Sequence, residues 1–392
     1  VYSSGLAFQE PVLSDTDLQR RCHTIFPGHR PQRPAELFAA MAAWCEKHDV
    51  DHDVYGNGAL LQDFERKVAA LLGFEAAVFC ISGTMAQVTA LRLGAAEFAR
   101  NGGSRLVALH PTSHILVHER SNYQLLDHFQ ALSVGDRHRP WNEADLAAVP
   151  DRLGAVGLEI PMREIGGQLS HWDELEAIKR HCRSRGIHLH MDGARLWEAQ
   201  AGYGRGVAEI AAGFDSVYVS LYKGIGGLGG AMLLGSRVFV DRCAEWFRRQ
   251  GGNVIHRSPY IVAAAMQFDE RLAAMPSYFE RTCFLYQALR AHPELRVNPA
   301  EPQSNMLHVH LPVDRERALA VRDSLARAHG IWMFNRAAHG ALPASSVIEI
   351  YVGDNLLSMP DDTVREALGR FAAALAPDAK MADSPVPASP VP

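Results

Sequence analysis

The chain has 392 residues, 47% hydrophobic and 21% charged, an ordinary globular composition with room for a large domain and a smaller one. A net charge of −5 argues against nucleic acid or an anionic membrane surface as the main partner. No apolar stretch approaches a spanning length, the first residues lack a secretion-signal pattern, and six scattered cysteines without a CxxC pair suit reduced thiols in the cytoplasm. Helical patterns over 34–48, 58–72 and 85–99 lead into short apolar runs at 77–81, 105–108, 155–158, 188–191 and 216–220. This alternation predicts an α/β fold, a mainly parallel sheet with helices on both faces and ligands beyond the strand carboxyl ends. After Gly251-Gly252 the pattern restarts as a helix over 260–274. The expected organisation is an N-terminal arm (1–33), a large domain (34–255), a smaller α/β domain (256–376) and a disordered Pro-rich tail (377–392). No internal repeat is visible.

Two segments carry chemistry. His188-Leu189-His190-Met191-Asp192-Gly193 is an apolar strand ending in a carboxylate, and Ser216-Val217-Tyr218-Val219-Ser220-Leu221-Tyr222-Lys223-Gly224 is one ending in a lone amine. Each has an ordinary structural use, since a lysine after a strand is usually solvated and an Asp-Gly pair caps a following helix. Upstream, Phe79-Cys80-Ile81-Ser82-Gly83-Thr84 joins a buried strand to a helix. There, free N–H groups and the positive helix end suit an anion, with Gly83 allowing close approach and the Ser82 and Thr84 hydroxyls adding donors. Cradle, acid and amine in that order are what pyridoxal 5'-phosphate needs. The amine condenses with the aldehyde, and the acid keeps the ring nitrogen protonated so that the ring accepts electrons. His188 and His190 share one strand face, as a metal pair would, but no third ligand stands at suggestive spacing, and no metal is expected. The run from Gly224 to Gly230 follows a lysine and leads into an apolar strand over 231–234. It therefore reads as a close turn and not as a dinucleotide loop.

Asp53-Val54-Tyr55-Gly56, the Ser82-Gly83-Thr84 segment, His190-Met191-Asp192-Gly193-Ala194-Arg195-Leu196 and Lys223-Gly224 together resemble the threonine aldolase/β-eliminating lyase family of fold-type I enzymes. The resemblance runs from about Asp51 to Ala265 and, more faintly, through Ser304-Asn305-Met306-Leu307. It implies a large domain plus a smaller α/β domain, and pyridoxal phosphate carried by Lys223 with Asp192 on the ring nitrogen. It also implies His114 stacked on the ring in preference to the nearby His110, and Arg195 near cofactor and substrate carboxylate. Arg257, six residues before Ala263-Ala264-Ala265, matches an arginine that reaches the phosphate of a neighbouring subunit, with Tyr55 close by. A homodimer or homotetramer with shared sites follows. The implied reaction is cleavage of a β-hydroxy-α-amino acid to glycine and an aldehyde, with β-elimination or racemisation as the alternative.

Two departures bear on substrate. Where the family reads Glu-Asn-Thr-His-Asn before Gly-Gly, this chain has Glu159-Ile160-Pro161-Met162-Arg163-Glu164-Ile165-Gly166-Gly167. A thioether at Met162 cannot accept the hydroxyl proton, and Arg163 is too basic to do so, which leaves His114 or an activated water. The family's carboxylate-gripping arginine falls at Glu349, in Val347-Ile348-Glu349-Ile350-Tyr351-Val352, and its N-terminal Arg-Ser-Asp-Thr is replaced by Arg20-Arg21-Cys22-His23-Thr24. The carboxylate clamp is left to Arg195, Arg163 or Arg336, or the substrate is not a simple α-amino acid.

Overall fold

Apolar runs too short for helices become strands when both their faces are covered. In the computed structural model, which describes residues 15–30, 32–100 and 104–376, six such strands and a partly exposed edge strand form one sheet. They are β1 (Ala76–Cys80), β2 (Leu106–Leu109), β3 (Gln130–Ser133), β4 (Ala155–Glu159), β5 (His188–Gly193), β6 (Ser216–Ser220) and β7 (Ala231–Gly235). Their spatial order is β1-β7-β6-β5-β4-β2-β3. Only β7 runs antiparallel to its neighbours; the other pairs are parallel. The register sets Glu159 opposite Asp192, Asp192 opposite Tyr218, and His190 opposite Ser216. One sheet face therefore carries Glu159, Asp192 and Tyr218 as a row at the carboxyl ends.

Helices α1 (Pro34–His48), α2 (Ala59–Leu72), α3 (Gly83–Arg100), α4 (Trp172–Arg185), α5 (Leu196–Tyr203), α6 (Arg237–Arg249) and α7 (Ser258–Leu289) belong wholly or mainly with this sheet. Two glycines about three turns apart let α3 lie close on the Asp192 face. A Cβ at Gly83 would overlap the Tyr218 phenol, and one at Gly94 the His188 imidazole.

The chain divides into two compact units. Among the described residues, one takes those within 32–280 and 301–306, the other 15–30, 281–300 and 307–376. The helix expected over 260–274 is much longer, because Pro276 sits inside α7 without ending it. Residues 258–280 stay with the larger unit because Ile261, Ala264, Phe268, Met275 and Tyr278 are buried in the same core as the sheet. The boundary therefore falls near residue 280 rather than 255. Residues 15–30 are likewise no separate arm: Thr24–Ile25 pairs with Ile331–Trp332, and Gly28 bridges to Val352. The segments 1–14 and 377–392, the latter expected to be a disordered tail, lie outside the described residues.

The smaller unit holds β8 (Arg296–Asn298), β9 (Met306–Leu311), β10 (Ala337–His339) and β11 (Ser346–Tyr351) in the order β10-β11-β9-β8, with helices α8 (Arg315–His329) and α9 (Asp361–Leu375). Alternation along β11 buries Ser346, Ile348 and Ile350 and sends Glu349 and Tyr351 to the opposite face.

Candidate active site

Lys223 stands three residues past β6. Ser220 Oγ accepts the backbone N–H groups of Tyr222 and Lys223, both at 3.3 Å, and so turns the chain as the strand ends. Glycine follows the lysine because a side chain at Gly224 would press on the buried Glu198 carboxylate and on Met275. Burial holds the Lys223 ammonium below its usual range, and Arg195 lowers it further; Asp192 and Glu159 oppose this, and Arg163 adds a smaller push downward. Two carboxylates and two guanidiniums thus surround one amine, and the net effect favours the neutral, nucleophilic form.

Asp192 is nearly buried, and its Oδ1 accepts the Ala194 N–H at 3.1 Å. Arg195 occupies the position before the first turn of α5. Glu159, one strand over, accepts the Arg163 N–H at 3.0 Å, and its carboxyl is pushed up to about 7 by burial and then by Asp192. The Tyr218 hydroxyl is held well above its ordinary value by burial, with Asp192 adding to the effect.

At the cradle, Ser82 Oγ accepts the Met85 N–H at 3.3 Å and caps α3, so the hydroxyl is already in use locally. Gly83 is buried and Thr84 exposed. Arg257 reaches towards this end of β1, since its charge steadies the ionised forms of both Glu65 and Cys80. Its Nη2 donates to Asn253 at 2.9 Å, while its buried Nε has no partner among the described residues. Asp53 ties the neighbouring loop to this segment. Its carboxylate accepts N–H groups from Gly56 at 2.9 Å, from Ser258 at 2.7 Å and from Arg257. Tyr55, exposed and at a φ of 53°, donates its N–H to Ile255 at 2.9 Å.

The two candidate histidines differ in what they touch. His110 is buried with both ring nitrogens engaged: Nδ1 with Thr112 at 2.7 Å, Nε2 with the Asp136 and Arg139 carbonyls at 2.9 and 3.1 Å. His114 is partly exposed, with Nδ1 3.0 Å from Glu119 Oε1. Glu119 also accepts from Asn122 at 2.6 Å, and its charge raises the Tyr222 phenol, which places the His114–Glu119 pair beside the lysine loop. The ring of His118 stands 5.1 Å from that of His114, and its Nε2 lies 2.8 Å from Glu164, which Arg163 meets at 3.2 Å.

Met162 is 1% exposed, so its thioether is packing. Arg163 and Glu159, and not Met162, are the groups of that segment whose charges reach Lys223. Glu349 stands 3.8 Å from His308 in the smaller unit, where Arg336 is exposed just before β10. His188 Nε2 and His190 Nδ1 both engage Ser216 Oγ at 2.8 Å, and no cluster of three or more ligating side chains among the described residues suits a metal ion.

Residues 35–312 match the model of the family described as "Beta-eliminating lyase". The chain belongs to this family. A solved structure described as a putative L-allo-threonine aldolase from Listeria monocytogenes is 34% identical, with a TM-score of 0.83 over 92% of this chain and 97% of that one. Another, a putative aromatic amino acid beta-eliminating lyase/threonine aldolase from Exiguobacterium, is 35% identical, with a TM-score of 0.85 over 91% and 98%. Among curated relatives, a probable low-specificity L-threonine aldolase from Arabidopsis thaliana is 29% identical over 72% of this chain and 80% of its own length. The architecture is fold-type I. In this member of the family the structure adds four residues that the sequence motifs do not single out: Glu119, Glu159, Tyr218 and Tyr222. Two had a visible signal, since Tyr222 directly precedes the lysine and Glu159 ends an apolar run as Asp192 does. Tyr218 and Glu119 depend on register and on a loop, which no spacing rule reveals.

Proposed function

We propose that the chain is a pyridoxal-phosphate-dependent lyase that cleaves a threonine-like β-hydroxy-α-amino acid to glycine and an aldehyde. The observation that carries this reading is the Lys223 amine, held below its usual basicity by burial and set within electrostatic reach of Asp192, Arg195 and Arg163. The residues fit the cofactor. An unpartnered Arg257 Nε near the end of β1 and the close N-terminus of α3 suit a phosphate, and a buried carboxylate and amine stand at adjacent strand ends. When bound, the cofactor supplies an electron sink for the bond-breaking step.

The chain's own residues do the rest. Lys223 would carry the cofactor and exchange protons at its amine. Asp192 would pair with the ring nitrogen and keep it protonated. Ser82, Gly83, Thr84 and Arg257 would hold the phosphate, and His114 would stack on the ring. Arg195 and Arg163 would receive the α-carboxylate, which fixes the bond to be broken, with Tyr55 as a further substrate contact. His114, oriented by Glu119, takes the β-hydroxyl proton that a methionine at 162 cannot accept. The exposed apolar Val54, Tyr55 and Ile255 support a homodimer or homotetramer with shared sites. Six free cysteines, and no helix among the described residues long and apolar enough to cross a membrane, support a cytoplasmic protein.

Addition of pyridoxal phosphate to the purified protein should produce a visible absorption band, and a panel of β-hydroxy amino acids should release aldehyde and glycine. Pyruvate with ammonia, or an inverted amino acid, would move the assignment to β-elimination or racemisation. A protein whose spectrum ignores the cofactor overturns the reading at its root.

A further inference from the structure

We propose that Glu159 and Asp192 form a carboxylate pair that holds one proton in common, carried on Glu159, so that the pair would present one negative charge and not two towards the ring nitrogen. The inference rests on the cofactor reading above and names Glu159 as a positioning residue acting through Asp192. The two residues are register partners on adjacent parallel strands, so their side chains leave the same sheet face from backbones about 4.8 Å apart. Neither is free to swing away. Glu159 is held by the Arg163 N–H at 3.0 Å and Asp192 by the Ala194 N–H at 3.1 Å.

Two carboxylates at facing positions of neighbouring strands, sheltered from water, disfavour double ionisation. The charged groups facing Glu159 are Asp192 from β5, Arg195 ahead of α5 and Lys223 after β6, and the Arg163 backbone N–H donates to it from the segment after β4. The cations do not cancel burial and Asp192, which together bring Glu159 to about 7. A second consequence concerns the amine. An ionised Glu159 favours the Lys223 ammonium, so a proton on Glu159 lowers the basicity of the lysine further.

The test is infrared difference spectroscopy of the cofactor-free protein across pH 5 to 9, following the carbonyl stretch of a protonated carboxylic acid. It uses a Glu65→Gln background, because burial also brings Glu65 to about 7. A band titrating near pH 7 is expected. It should vanish in Glu159→Gln, which keeps the acceptor for Arg163, and its midpoint should fall by roughly one unit or more in Asp192→Asn, where the neighbouring charge is gone. No protonated acid at pH 6, a band that survives Glu159→Gln, or a midpoint unmoved by Asp192→Asn overturns the proposal. Titration of the same samples with pyridoxal phosphate, read in the visible, reports the cofactor separately. Failure to load with the infrared band intact sinks the functional reading and leaves the shared proton standing.

Discussion

An amine deprived of water and flanked by Arg195 and Arg163 exists more as a base than a surface lysine does, and Lys223→Ala should show what that is worth. Turnover is expected to fall by on the order of a thousandfold or more, with the visible band of the loaded protein lost; full turnover would remove the lysine from the mechanism. The carboxylate clamp is tested by KM. Arg163→Ala and Arg195→Ala should each raise KM by roughly tenfold or more, about 1.5–3 kcal/mol for a charge-assisted hydrogen bond, and Arg336→Ala serves as the comparison from the smaller unit. Glu119→Gln keeps the shape but removes the charge that orients His114, and kcat should drop by about tenfold with little change in KM. Lys223, Asp192 and the Ser82-Gly83-Thr84 turn were legible because strand ends and small-residue junctions are written in local sequence. Glu159 ends an apolar run in the same way, but its meaning comes from standing opposite Asp192, a pairing set by strand register that local sequence does not show.

Helix α3 owes its close seat to two missing side chains. Gly94 faces His188, whose ring also stacks on Phe239 at 5.0 Å and bonds Ser216 at 2.8 Å, so it cannot retreat. Gly94→Ala should therefore destabilise by about 2 kcal/mol despite the better helix propensity of alanine. In a His188→Ala background the same change should stabilise, by roughly 1 kcal/mol. Thermal unfolding of the four proteins gives the sign, and additive effects would show that the contact is not what selects glycine. The strand–helix alternation and the mainly parallel sheet were readable from periodicity alone. The length of α7 was not, because Pro276 looks like a stop and is tolerated only where core packing on both sides holds the helix together.

Across the whole molecule, stability has opposing dependences on pH. Burial holds His190 down to about 3 and His128 to about 4, and lowers His110 and His188 as well. Their unfolded forms gain protons below about pH 6.5 while the fold cannot, so stability is lost as pH falls through that range. Glu65 and Glu159 act in the other direction: each folded carboxyl keeps its proton up to about 7, and stability falls as pH rises from roughly 4.5 to 7. The melting temperature should therefore peak between these limbs. Glu65→Gln should stabilise by on the order of 2 kcal/mol at pH 8 and by nothing near pH 4.5; an equal gain at both would rule out the buried charge as its cause. The Asp53 carboxylate, which gathers N–H groups from Gly56, Arg257 and Ser258, bears on how such a protein can be altered. It makes two stretches some two hundred residues apart a single heritable piece. A mutagenesis library that diversifies the Tyr55 loop alone samples variants already compromised by the unaltered Arg257 segment, whereas one that recombines both as a cassette explores new specificities without first breaking the joint.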